Sequence, residues 1–228
     1  MSKKKNTLLR NTSILMAATI ISRVIGLLYR SPPGATIGNE GLGYYSTASN
    51  LYTILLLISS YSIPMAVSKI VSERLALKEY RNAHRVFRGA LLYAVIVGGI
   101  AALVAFFGGK FLLPYNQQNA ILALRVLAPT IFFSAILGVL RGYFQAHSTM
   151  MPTSISQIIE QIFNAAFSIG AAWFFIQQFA TNDTERAKFG AAGGTLGTGA
   201  GVLAGLCFML LVYGVNRKSI LRKAAKDI

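Results

Sequence analysis

Two arginines and one carboxylate stand inside stretches otherwise apolar enough to cross a bilayer. In ILMAATIISRVIGLLYR, residues 14–30, Arg23 and Arg30 share a helical face with Thr19, Ser22 and Gly26. In the run 153–179, Ser154, Gln157, Glu160, Gln161, Asn164 and Ser168 recur at spacings of three and four, again along one face. A charge at the centre of a membrane helix costs from about 2.5 to more than 10 kcal/mol. Such stripes must therefore face a bundle interior or a watery cavity. The chemistry they offer is binding of a polar ligand in such a cavity. Arg23, Arg30, Gln157, Glu160 and Asn164 are the candidate substrate-binding residues. At a rise of about 1.5 Å per residue, Arg23 lies about 16 Å and Glu160 about 10 Å from the same membrane face. A long arginine side chain spans that difference, so Arg23 and Glu160 are expected to share a cavity and to pair. A purely structural ion pair holding two helices in register is the competing reading.

Other chemistries lack their residues. The chain has one cysteine, Cys207, and two histidines, His84 and His147. It has no H-E-x-x-H and no G-x-S-x-G sequence, and Glu160 has no neighbouring carboxylate within its span. No enzyme activity, metal or cofactor is expected. The net charge of +15 does not point to nucleic acid, because the basic residues cluster between apolar runs. Anionic lipid headgroups are the better match.

Of the 228 residues, 54% are hydrophobic and 13% charged, with a mean hydropathy of +0.54. That composition belongs to a membrane protein. Six spans are expected, near 12–30, 44–68, 88–108, 121–144, 153–179 and 189–214, each long enough for a bilayer core of about 30 Å. The fold class is an all-α, six-helix transmembrane bundle. It is framed by a basic N-terminus (1–11) and a basic tail (215–228), with the bundle at 12–214. The start resembles a signal peptide but has no clear cleavage site, so it reads as a retained first helix. Of the 22 Lys and Arg, 16 fall at one set of ends and loops, which puts both termini in the cytoplasm. The connector 72–88 reads either as an amphipathic surface helix or as a solvated basic loop. Pro64 and Pro129 break the helical ladder as hinges or as tolerated kinks. Arg125 and Arg141 bracket the fourth span and read as interfacial anchors. Gly193, Gly197, Gly201 and Gly205 recur every four residues, a stripe for close helix packing.

Several segments resemble a known family. ISRVIGLLYR followed by IGNEGLGYY, then SIPMAVSKIVSER, and above all LRVLAPTIFFSAILGVLRGYFQAHSTMMPTSISQIIEQIF are similar to the polysaccharide-exporter branch of the multidrug/oligosaccharidyl-lipid/polysaccharide flippase superfamily. Within it they look like the stage V sporulation protein B group and the lipid II flippases of Gram-positive bacteria. The resemblance runs from about residue 8 to 215. It implies a plasma-membrane transporter of two lobes that exports a lipid-linked oligosaccharide or peptidoglycan precursor by alternating access. An ion gradient or the membrane potential would drive it. It also implies that Arg23 and Arg30 hold the substrate's pyrophosphate, and that Arg141, Gly142, Pro152 and Glu160 occupy patterned positions. RSPPGATIG departs from the family pattern in the first outer loop. The implied partners are membrane lipids, the lipid-pyrophosphate-linked sugar, and a C-terminal lobe or a second copy. Two alternatives stay open: a drug or cation antiporter of the same superfamily, and a non-transporting assembly or sporulation factor.

Overall fold

The computed structural model describes the backbone of residues 2–59 and 62–225. Within these, the side chains of 2–12, 15, 23, 25–36, 219, 221 and 223–225 lie outside the described set. The described residues form seven α-helices and a 3-10 turn, with no strand among them: α1 (Ser2–Ser59), α2 (Ile63–Ala76), α3 (Tyr80–Phe107), α4 (Gly109–Leu112), the 3-10 turn Tyr115–Ala120, α5 (Ile121–Ala146), α6 (Met151–Phe179) and α7 (Asp183–Ala225). Five described stretches are long and apolar enough to cross a membrane: Ile37–Ala76, Tyr80–Phe107, Tyr115–Ala146, Met151–Phe179 and Asp183–Lys218. The expected first span, 12–30, lies on the first stretch of α1, where most side chains are outside the described set. The chain is a polytopic helical membrane bundle.

Three sequence expectations are corrected. Where an outer loop was expected after Arg30, the backbone stays helical and turns only at Gly38 (φ 73°, ψ 175°). That region of backbone space is essentially closed to residues with a Cβ. The expected span 44–68 is not one helix: α1 ends at Ser59, and Pro64 sits in the first turn of α2. There its missing N–H breaks no hydrogen bond. Pro129, by contrast, lies within a continuous α5. The connector 72–88 is neither a surface helix nor a loop. It is the end of α2, a tight turn with Lys78 at φ 62°, and the start of α3. Arg74 and Asn82 both donate to Glu79 across this turn. These bonds, Asn82's first, hold the Glu79 carboxyl below the usual carboxylate range. Leu75, Val86 and Phe87 pack inward.

α5 is the central element, packed against α1, α2, α3 and α7. One end of the bundle gathers Val71, Phe87, Val139, Leu140, Tyr143 and Met209. The other gathers Ala48, Leu124, Leu127, Ile131 and Ala191. Large apolar side chains also cover the outside: Leu92, Ile96, Ile100 and Phe107 on α3, and Phe163, Phe167, Trp173 and Phe174 on α6. A surface this apolar suits hydrocarbon.

Lipid leaves no hydrophobic drive for helices to associate, so van der Waals fit must supply it. The glycine stripe supplies that fit. A Cβ on Gly193 would lie 2.5 Å from the Ala171 carbonyl oxygen of α6. On Gly197 it would strike Ser168, and on Gly201 the Glu160 carbonyl and Asn164. α6 and α7 consequently form the most extensive helix pair in the bundle. Ser168 Oγ donates across the seam to the Gly194 carbonyl at 2.8 Å. We expect Gly197→Leu to destabilise the detergent-solubilised chain by at least about 1–3 kcal/mol through overpacking. Gly214→Leu, at a position with open space around it, should stay within about 0.5 kcal/mol of the parent. Thermal unfolding of the two variants side by side checks this.

Candidate functional site

α5 and α6 are joined by a short turn after Ala146, so their facing ends lie side by side. Arg141 is about one and a half turns from the end of α5, and Ser156 and Glu160 are one turn apart on α6. The spacing brings all three together. Arg141 Nη2 donates to Glu160 Oε2 at 2.7 Å, and Arg141 Nε donates to Ser156 Oγ at 2.9 Å. Ser156 Oγ in turn donates to the Thr153 carbonyl at 2.7 Å. The Arg141 and Glu160 side chains retain 16% and 21% exposure, so the pair is largely enclosed yet reachable from one side.

That side is a cavity of about 310 Å³ lined by Tyr52, Leu56, Pro64, Ser134, Leu137, Gly138, Arg141, Gln145, Thr153, Gln157 and Glu160. Tyr52 Oη and Ser134 Oγ are 3.2 Å apart on its wall. Two buried polar atoms on its lining have no hydrogen-bond partner, Thr153 Oγ1 and Gln157 Oε1. Two glycine contacts shape the cavity. Gly138 and Gly142 of α5 let Pro64 lie against the helix, where a Cβ on Gly142 would meet the Pro64 carbonyl oxygen at 2.5 Å. A Cβ on Gly205 of α7 would stand in ordinary contact with Arg141 Nη2, at 3.6 Å.

The sequence-derived site residues are distributed as follows. Glu160 and Gln157 line the cavity. Asn164, one turn beyond Glu160, is buried under Gly197 and Gly201, and its Oδ1 accepts from Ser168 at 3.0 Å. It belongs to the α6–α7 seam and is not part of the cavity lining. The side chains of Arg23 and Arg30 lie outside the described residues, and so does the expected Arg23–Glu160 pair. The partner that the structure provides for Glu160 is Arg141. This corrects the reading of Arg141 as an interfacial anchor: the side chain turns inward because a carboxylate and a hydroxyl await it on α6. Arg125 is exposed, donates to the Phe106 carbonyl at 3.3 Å and stands over the Phe106 ring. Tyr52, Ser134, Gln145 and Thr153 were missed. The α6 stripe was a signal for Thr153, one position before Ser154, but nothing in the sequence joins Tyr52 to Ser134.

The arrangement can bind and orient a polar ligand inside a membrane bundle. Among the described residues no group of histidine, cysteine and carboxylate side chains could hold a metal ion.

Comparison with known proteins places these features in context. Residues 8–224 match the family model described as polysaccharide biosynthesis protein. Among curated relatives, the chain is 28% identical over 182 residues to the Lipid II flippase MurJ of Bacillus subtilis, covering 75% of this chain and 34% of the relative. It is 28% identical over 225 residues to the Stage V sporulation protein B of the same organism, covering 96% and 41%. It is 23% identical over 212 residues to its Uncharacterized membrane protein YabM, covering 92% and 37%. The chain therefore spans 34–41% of the length of these relatives. No solved structure matches it.

Removing one partner of the ion pair strands the other in a low-dielectric site. A fully buried pair loses about 3–5 kcal/mol on such a change; with about a fifth of each side chain exposed, Arg141→Met and Glu160→Gln should each cost about 1–3 kcal/mol. The exchanged pair, Arg141→Glu with Glu160→Arg, should recover at least half of that loss. Unfolding of the four proteins in detergent provides the comparison.

Proposed function

Because the chain belongs to the polysaccharide biosynthesis protein family, we propose that it is the N-terminal lobe of a flippase. Its substrate would be a lipid-linked oligosaccharide or peptidoglycan precursor, exported across the plasma membrane. The observation that carries this reading is a polar cavity of about 310 Å³, holding Arg141 and Glu160, inside a bundle whose outer surface is apolar. Such a cavity offers a headgroup a polar route through hydrocarbon, and the apolar exterior leaves the lipid tail in the bilayer. Arg23 and Arg30, on the helical stretch before Gly38, supply cations for the pyrophosphate, which guanidinium groups hold with several donors. The curated relatives named a lipid II flippase and a sporulation protein support the same substrate class. Alternating access needs a second bundle to rock against the first. The partner is therefore a C-terminal lobe or a second copy of this chain, and transport is coupled to an ion gradient or the membrane potential. Both termini lie on the cytoplasmic side.

A drug or cation antiporter has one observation in its favour, the carboxylate of Glu160 in the cavity. Arg141 bonds that carboxylate at 2.7 Å and cancels its charge, which weakens any hold on a cation.

Binding of an undecaprenyl-pyrophosphate lipid to the chain in nanodiscs tests the proposal. Arg23→Ala and Arg30→Ala together should weaken binding at least tenfold. Unchanged affinity in that double variant would remove the arginines from the site.

A further inference from the structure

We propose that Arg88 and Arg217 form a site for the phosphate of an anionic glycerophospholipid of the bilayer, on the outer surface of the bundle where α3 meets α7. The site is separate from the polar cavity and does not depend on what the chain transports.

The two arginines come from helices far apart in sequence. Phe87 of α3 and Tyr213 of α7 pack ring against ring, with 5.4 Å between centroids. Arg88 follows Phe87 directly, and Arg217 is one turn beyond Tyr213. The charges of both arginines act on the imidazole of His84, one turn from Arg88, so the two guanidinium groups are gathered at one end of the α3–α7 contact. Both side chains are exposed. Neither has a hydrogen-bond or ion-pair partner among the described residues, whereas Arg74 and Arg141 are held by Glu79 and Glu160. Glu79, the carboxylate at the start of α3, is taken up by Arg74 and Asn82. Two like charges brought together without a carboxylate are matched by an anion, and guanidinium groups hold a phosphate with several donors at once.

Depth and surroundings select a lipid over a free phosphate. From Arg88 to Phe107 at the end of α3 the helix rises about 28 Å, at about 1.5 Å per residue. A hydrocarbon core is about 30 Å thick, so Arg88 stands at its edge, where phosphodiester groups lie. Arg217 likewise follows the apolar run 201–215 of α7. Below Arg88, at steps of four residues on the same face, Leu92, Ile96 and Ile100 are exposed. Leu210, Leu211 and Val215 are exposed on α7. Gly89 beside Arg88 and Gly214 below Arg217 have nothing within 4 Å of where a Cβ would stand, which leaves the surface between cations and apolar rows clear. A charged head above two apolar rows fits an amphiphile.

The test titrates phosphatidylglycerol and phosphatidylcholine of identical acyl chains onto the delipidated chain in detergent, with bound lipid counted by native mass spectrometry. The first phosphatidylglycerol should bind at least tenfold more tightly than phosphatidylcholine. Arg88→Gln with Arg217→Gln should remove that preference. Lys69→Gln with Lys78→Gln takes the same charge from other exposed positions and should change it by less than about twofold. Thermal unfolding establishes that each variant is folded; if the arginine pair is not, the two single variants decide, each expected to weaken phosphatidylglycerol binding at least threefold. Equal binding of the two lipids by the wild-type chain overturns the site. So does an equal loss in both paired variants, which would assign the preference to the overall charge of this end. Displacement of the lipid by an equal concentration of inorganic phosphate would make the site one for a free anion and overturn the lipid assignment.

Discussion

A guanidinium inside a membrane bundle cannot be left to itself, and the way Arg141 is held organises much of this molecule. Its charge is answered by Glu160 at 2.7 Å and its Nε by Ser156 at 2.9 Å. Both acceptors lie on α6, so α5 and α6 are fixed in register by a three-residue contact near their shared turn. Ion pairs in low dielectric repay their desolvation only with good geometry and further hydrogen bonds. Ser156 contributes that extra bond and is itself tied to the Thr153 carbonyl.

The pair forms only because the helices around it come close enough. α7 approaches α6 along Gly193, Gly197 and Gly201. On the opposite side, Gly142 and Gly138 let the Pro64 turn press onto α5, which puts a broken helix beside the cavity. Small residues thus do two jobs here. They replace the missing hydrophobic drive with close contact, and they leave empty volume where larger side chains would have filled it.

Seen from outside, the polarity is inverted relative to a water-soluble bundle. Phenylalanine, leucine and Trp173 cover the faces of α3 and α6, and serine, threonine and asparagine are buried on α6 and α7. The hydroxyls of Ser156, Ser168 and Thr195 all donate to backbone carbonyls. Most of the interior polarity binds the helices to one another; a small remainder faces the cavity.

The class of the fold, its helical runs and the polar face of α6 are all legible in the amino-acid sequence. Each follows from composition and local periodicity, which act over a few residues: apolar stretches of about 20 residues, glycines four apart, and Gln157 and Glu160 on one side of a helix. It also located the glycine seam, because a four-residue repeat of glycine has little other use in a membrane helix. Partnership, by contrast, is set by the packed helices. Arg141 looks like any arginine near a helix end, and whether it snorkels outward or turns inward depends on a carboxylate 19 positions away. The meeting of Tyr52 with Ser134, 82 positions apart, depends on how α1 lies across α5. The same holds for the break before Pro64, which a continuous apolar run from 44 to 68 conceals. Such pairings are set by the packing of whole helices, and no local pattern records them.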